Sequence, residues 1–198
     1  MSVLFVVTLG LPVLYLTGSL KKIVGYTGVG KPAFLLFFAG IAALSFLPAV
    51  RVVKEIKIDP AGAFLSLSPA AYLAAKKRFS YRYYLAIVLT AFFAVSLSFI
   101  SDAYSLPFLP HLIGAVIAFS SALFFYSGGP LFAPVLTGVY GAAAGLMRLF
   151  SGMENSVVFF GDTDLTALSM VLCLFVSYAA RPRGKHCARR EYAAPNKR

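Results

Sequence analysis

The sequence predicts an all-α fold, a polytopic integral membrane bundle of six or seven helical spans, on three observations. Hydrophobic residues make up 60% of the 198 residues and charged residues only 13%, whereas soluble domains carry about 25% charged residues. Several uncharged runs approach the roughly 20 apolar residues that a helical span requires. Basic residues cluster beside these runs, as is typical of loops between membrane spans.

The uncharged runs define the expected spans, and they are Met1–Leu20, Pro32–Val50, Pro60–Ala75, Tyr83–Ser101, Ala103–Met147 and Leu165–Ala180. The run from Ala103 to Met147 is long enough for two spans, with a Gly- and Pro-containing turn at residues 127–130. No basic residue precedes the first run, so we expect it to remain as a span and not to act as a cleavable signal peptide. We therefore predict one transmembrane domain, residues 1–180, followed by a basic tail, residues 181–198.

The segment Pro60–Ala75 leaves the number of spans open. With 16 residues it is either a thinned third span or a re-entrant hairpin that enters and leaves on the same face. With the tail in the cytoplasm, both models place seven basic loop residues inside and four outside, so the positive-inside rule orients the C-terminus without choosing between them. A re-entrant segment would itself indicate a functional site, because irregular backbone at membrane depth requires protein or a cavity to satisfy it.

The tail carries seven of the 18 Lys and Arg residues against the single acid Glu191. We expect it to contact anionic headgroups of the cytoplasmic leaflet through Arg181, Arg183, Lys185, Arg189 and Arg190. Nucleic acid is not an expected partner, since a polybasic end beside a last span is ordinary topology. The sequence thus predicts a multi-pass protein of the cell membrane, in contact with the lipid bilayer and compatible with a homo-oligomer.

Few residues have the chemistry to hold a cofactor. The two cysteines and two histidines are scattered at Cys173, Cys187, His111 and His186, which is too sparse for a disulfide framework or a zinc or haem site. We therefore expect no metal and no cofactor.

The candidate chemistry lies where residues 157–164 lead into the last apolar run. In a regular helix Asp162 and Asp164 would point in different directions, because each residue turns about 100°. If the chain is extended up to about Thr163, the two carboxylates share a side, and Gly161 favours such a break. Leu165–Ala180 alone spans about 24 Å, short of the ~30 Å hydrocarbon core. A discontinuous helix of this kind is typical of transporter binding sites.

This pattern predicts a site for an ion or small solute formed by Gly161, Asp162, Thr163, Asp164 and Thr166, in a transporter or channel. Two structural alternatives stay open. Asp162 or Thr163 would simply cap the helix, with Asp164 in its favourable first turn, or an aspartate would pair with Arg148 as a clasp. A structural or assembly protein of the membrane, without chemistry, is compatible with the same composition.

Three stretches resemble, in their order, the motifs of an uncharacterised bacterial and archaeal membrane family, domain of unknown function 1614. They are residues 56–73, the small-residue stretch Ala133–Gly145 and residues 161–166, and the resemblance covers most of the chain beyond residue 50. It implies an acidic residue near the end of the small-residue helix and another in the last motif. Here residues 146–148, which end in Arg148, occupy the first place. The resemblance implies no activity.

The pair Gly161-Asp162 at the start of an apolar helix is also similar to the Gly-x-Gly-Asp motif of intramembrane aspartyl proteases, although Phe159 stands in place of the first glycine. Such an enzyme shares one proton between two aspartates. Asp102 is the candidate partner of Asp162 or Asp164. Whether the chain is an enzyme stays open from the sequence, with the transporter favoured.

Overall fold

The computed structural model describes residues 3–76, 80–104, 109–125, 128–152 and 156–180. Eight helices and three short strands form this part of the chain. The helices are α1 (Val3–Leu16), α2 (Lys21–Tyr26), α3 (Lys31–Leu44), α4 (Pro60–Ala75), α5 (Tyr81–Tyr104), α6 (Leu109–Phe125), α7 (Gly129–Phe150) and α8 (Thr163–Ala179). The strands are β1 (Val50–Val53), β2 (Ile56–Ile58) and β3 (Val157–Phe159). The mainly helical fold is confirmed; the strands were not predicted.

Seven of these helices run in alternating directions, with α2 inserted in the connection between α1 and α3. Aromatic contacts fix the arrangement at one end of the bundle. Tyr15, near the end of α1, packs on Phe34, near the start of α3, with ring centroids 4.7 Å apart. Tyr83, at the start of α5, stacks on Phe125, at the end of α6, at 4.5 Å, and meets Phe132 in the first turn of α7.

The two ends of the bundle differ in charge. The end where α4 stops and α3, α5 and α7 start is named the basic end, and its described charged residues are Lys21, Lys22, Lys31, Lys76 and Arg82. The opposite end, named the sheet end, carries the three strands and the starts of α1, α4 and α8. Acidic and basic residues both occur at the sheet end, whereas the described residues of the basic end include no acid. The charges of the described chain are therefore unevenly distributed along the bundle axis.

The three strands form one small sheet in the order β1-β2-β3. The first two make an antiparallel hairpin, while β2 and β3 run parallel, with Ile58 opposite Phe159. In β3, Val157 and Phe159 are buried and Val158 is exposed, the alternation of a strand covered on one face. The sequence does not show this alternation, because residues 157–160 are all apolar.

The segment Pro60–Ala75 forms one uninterrupted helix, α4, from the sheet end to the basic end. The re-entrant hairpin considered from the sequence is therefore wrong, because the chain does not turn back within this segment. Asp59 caps the helix: its Oδ1 accepts a hydrogen bond from the Ala61 amide at 3.0 Å. Pro60 suits the first helical position, where its missing N–H has no intrahelical partner.

Two of the described helices are long and apolar enough to cross a membrane, Tyr81–Ser98 within α5 and Gly129–Phe150, which is α7. The other apolar helices are shorter: α1 and α3 have 14 residues each, and α6 and α8 have 17. Helix length alone therefore does not establish the predicted six or seven spans.

Candidate functional site

Two strand-to-helix connections lie side by side at the sheet end. Strand β2 leads through Asp59 into α4, and β3 leads through residues 160–162 into α8. Because β2 and β3 are parallel neighbours, both helices begin at the same edge of the sheet. A hydrogen bond from the Asp59 amide to the Phe159 carbonyl, 3.0 Å, joins the two connections. The predicted break before α8 is thus present, with extended chain up to Phe159 and helix from Thr163.

The two helix starts approach so closely that a glycine is required between them. A Cβ atom built on Gly62 in α4 would collide with the Phe160 carbonyl oxygen, and would lie 2.9 Å from Cγ2 of Thr163. Phe160 itself has a φ of 60°, a left-handed conformation that bulky residues rarely adopt. The connection before α8 is therefore held in an unusual conformation directly against the first turn of α4.

A cavity of about 920 Å³ lies between this region and the second half of α7. Its wall includes the charged residues Asp59, Arg148 and Asp162, the phenol of Tyr140, and the hydroxyl residues Thr8, Thr137, Thr163 and Thr166. Between them, small residues of α7 leave the space open. The cavity wall therefore combines one cation, two carboxylates and several hydroxyl-bearing residues, and the cavity is partly open, since Asp162 is exposed.

The structure separates the two aspartates that the sequence placed in one site. Asp162 lines the cavity, and its side chain makes no capping hydrogen bond to α8. Asp164 is not among the cavity-lining residues. Its Oδ1 accepts a hydrogen bond from the Leu4 amide at 2.7 Å, in the first turn of α1. The two carboxylates therefore have different surroundings, because helix geometry turns residues 162 and 164 apart once α8 has started, and a role of Asp164 in binding stays a prediction.

The other residues predicted for the site all border the cavity. Gly161 and Thr163 lie in its wall. Thr166 also lies there, and its hydroxyl donates to the Asp162 carbonyl at 2.9 Å. This bond fixes the backbone of Asp162 in the first turn of α8. Thr166 therefore positions the Asp162 segment, and Asp162 is exposed where it lines the cavity.

Sequence reasoning gave no binding role to two residues of α7 in the cavity wall, Tyr140 and Arg148. Tyr140 is half-buried and lies close enough to Arg148 and Asp162 for both charges to act on its hydroxyl group. The available signal was helical spacing: Thr137, Gly141, Ala144 and Arg148 recur at the three- and four-residue intervals of one helix face. Arg148 had been considered only as a structural clasp.

The small residues of α7 do two different things. Gly145 lies against the side chain of Val157 in β3, and Gly138 lies against Ser66 of α4, with no room for a Cβ atom in either place. Nothing lies within 4 Å of a Cβ atom built on Gly141, which borders the cavity. Gly141 and Gly145 have the four-residue spacing that lets two membrane helices approach closely, but here Gly141 borders the cavity and Gly145 contacts a strand.

Two sets of residues predicted to be functional lie partly or wholly outside the residues that the structure describes. Asp102 falls in the last turn of α5, but its side chain is outside the described residues, so its pairing with Asp162 is untested. The basic residues of the tail, Arg181 to Arg198, also lie outside them. Within the described ranges, no three or more His, Cys, Asp or Glu residues form a group that could hold a metal ion.

No family model matches the chain, and no curated protein or solved structure is significantly similar to it. Function therefore has to be argued from the cavity and its surroundings.

Proposed function

We propose that the chain is a multi-span membrane protein that binds a small polar solute in the cavity beside α7 and carries it across the bilayer. The observation that carries the proposal is the combination of Arg148, Asp59 and Asp162 around one space of about 920 Å³ in a largely apolar bundle. Charged side chains at membrane depth are costly, and where they occur they commonly mark solute or ion pathways.

Exposed apolar surfaces support the membrane placement. Val88, Phe92 and Phe93 of α5 are 63 to 69% exposed, and this helix is long and apolar enough to cross a membrane. The outer faces of α1 and α6 carry further exposed Leu, Val and Phe side chains. Apolar patches of this extent are rare on monomeric soluble proteins, whereas lipid covers them at no cost.

The alternating helix directions support seven spans, namely α1, α3, α4, α5, α6, α7 and α8. The basic end has five Lys or Arg residues and no acidic residue among those described, and the sheet end has both signs. By the positive-inside rule, this asymmetry supports a cytoplasmic location for the basic end. The tail, which follows α8, would also be cytoplasmic, and the cavity would lie toward the opposite face.

Helix lengths support a cavity below the lipid surface. At 1.5 Å per residue, the 22 residues of α7 extend about 33 Å, enough to cross the hydrocarbon core. The cavity borders α7 from Thr137, near its middle, to Arg148, near its end. The shorter helices α4 and α8 begin beside this stretch. Irregular backbone at such depth must be satisfied internally, and the hydrogen bonds of the small sheet do this.

The size and charges of the cavity indicate the class of solute. A volume of about 920 Å³ falls in the range of sites for small organic molecules, about 300–1,000 Å³, and is far larger than a bare ion requires. Arg148 would attract an anionic group, and Asp162 a cationic one. A zwitterionic or mixed-charge organic solute therefore fits best.

The aspartyl protease alternative receives less support. Proton sharing requires two carboxylates close together and jointly carrying one negative charge. Among the described residues, the second carboxylate in the cavity wall belongs to Asp59, and its Oδ1 already accepts a hydrogen bond from the Ala61 amide. A purely structural protein has no need of a charged cavity. The resemblance to domain of unknown function 1614 stays a prediction and adds no activity.

The proposal is tested with the purified full-length chain. Zwitterionic amino acids, organic anions and organic cations are first screened for stabilisation of the helical circular dichroism signal against heat, since a ligand raises the melting temperature by mass action. Uptake of the best solute, radiolabelled, is then measured in proteoliposomes. We expect a mixed-charge solute to stabilise the protein and to be taken up.

Matched variants at the sheet end assign the effect to the cavity. Asp162→Asn and Arg148→Gln should lose solute stabilisation and uptake, whereas Lys54→Gln, at an exposed position of the same end, should keep both. Unchanged uptake in Asp162→Asn and Arg148→Gln would exclude the cavity from transport. A protein that no solute of the panel stabilises, in vesicles that take none up, would contradict the proposal itself.

A further inference from the structure

A second cavity, of about 270 Å³, lies in the half of the bundle near the basic end. Its wall is almost entirely apolar and is rich in aromatic side chains, among them Phe34, Phe37, Phe38 and Phe64, with Leu131 and Met170 on the far side. Apolar cavities of this kind do not hold ordered water, because water finds no hydrogen-bond partners there. The space is suited to a hydrocarbon chain.

Two basic residues lie near the wall of this cavity. Tyr72, in its wall, donates a hydrogen bond to the Gly28 carbonyl at 3.4 Å, so the end of α4 meets the connection before α3. Lys76 lies beyond it, with Nζ 6.0 Å from the centre of the Tyr72 ring. Lys31 starts α3, two residues before Ala33 in the cavity wall. Two exposed lysines, Lys31 and Lys76, therefore lie close in the chain or in space to residues of the cavity wall.

We infer that this cavity binds one acyl chain of an anionic phospholipid, with the phosphate group between Lys31 and Lys76. Charge complementarity selects the anionic class: the described residues of the basic end include five basic residues and no acid. Basic residues close to a membrane surface attract anionic lipid. The inference rests on the membrane placement of the chain, and not on transport through the other cavity.

Native mass spectrometry of the full-length chain in detergent tests the inference, with phosphatidylglycerol and phosphatidylcholine of identical acyl chains as probes. We expect one phosphatidylglycerol per chain, bound at least tenfold more tightly than phosphatidylcholine. At about 1 kcal/mol per basic residue, Lys31→Gln combined with Lys76→Gln should weaken binding by about 30-fold. The control, Arg51→Gln with Lys54→Gln, removes the same charge from exposed positions at the sheet end and should leave binding unchanged.

A second pair of variants tests the apolar cavity separately from charge. Ala33→Phe places a ring in the cavity mouth, and Ala39→Phe places the same ring on an exposed position of α3 that does not border it. Ala33→Phe should abolish binding of both lipids, and Ala39→Phe should not. Equal weakening by both charge-removing pairs, or full binding by Ala33→Phe, would overturn the inference. Solute uptake should be unaffected by the Ala33 variant, so the two proposals fail independently.

Discussion

Replacing Gly62 by alanine directly tests the contact that brings α4 and α8 together. The new Cβ atom would lie 3.0 Å from the Phe160 carbonyl carbon and 2.9 Å from Thr163 Cγ2, and closer still to the Phe160 oxygen. Ordinary contacts begin at 3.4 Å. The backbone of one connection must therefore move by at least 0.4 Å, because a carbonyl group cannot rotate away as a flexible side chain could.

The expected magnitude follows from comparison with Gly141→Ala. Both substitutions reduce the freedom of the unfolded chain, which stabilises by about 0.4–1 kcal/mol, and this contribution cancels between them. Gly141 has nothing within 4 Å of its added Cβ atom. Overpacking costs about 1–3 kcal/mol, so Gly62→Ala should be less stable than Gly141→Ala by that amount.

The assay is unfolding of the full-length chain by sodium dodecyl sulfate in mixed micelles, followed by circular dichroism. Gly62→Ala should unfold at a lower mole fraction of sodium dodecyl sulfate than the original protein, and Gly141→Ala at an equal or higher one. A difference below 0.5 kcal/mol between the two variants would refute the close approach of α4 to the Phe160 carbonyl.

Two further predictions separate the structural and accessible residues of the sheet end. Asp164→Ala should destabilise the protein by about 1.5–3 kcal/mol in the same unfolding assay, because a charged acceptor of the Leu4 amide is lost. Asp162→Ala should change the free energy of unfolding by less than about 0.5 kcal/mol. A larger loss of stability in Asp162→Ala than in Asp164→Ala would contradict the assigned roles. The labelling experiment uses the Cys187→Ser variant, in which the remaining native cysteine, Cys173, is buried. In this variant, Gly141→Cys should react with a membrane-impermeant maleimide added outside the cell. Leu146→Cys, on the exposed face of α7, should stay unlabelled within lipid, and equal labelling of the two positions would place this half of α7 in water.

The helical fold and the break before α8 could be predicted because each has a local signal. Long uncharged runs dictate helices in an apolar setting, and the 16 residues from Leu165 to Ala180 are too short to span the core without the chain that precedes them. The sheet could not be predicted as readily. Its strands have three or four residues, and the pairing of β2 with β3 joins segments about 100 residues apart.

Part of the candidate site could be predicted because it also has a local signal in the sequence. Gly161, Asp162, Thr163 and Thr166 are neighbours in the chain, so one local pattern identified them all. Arg148 and Asp59 reach the cavity from elsewhere in the sequence, and only the parallel pairing of β2 with β3 brings Asp59 beside the start of α8. The contact of Asp164 with the Leu4 amide could not be predicted, because the two residues are 160 positions apart in the chain.

The different roles of the aspartates follow from the number of helices that begin at the sheet end. Helices α1, α4 and α8 all start there, and each helix start leaves amide groups unsatisfied and carries partial positive charge. Asp59 satisfies an amide of α4 and Asp164 one of α1. Asp162 provides no such cap, although it stands at the capping position of α8. Its carboxylate is therefore the one in this segment that can bind a solute without first giving up a capping bond, and for that reason binding and stability should respond to different aspartates.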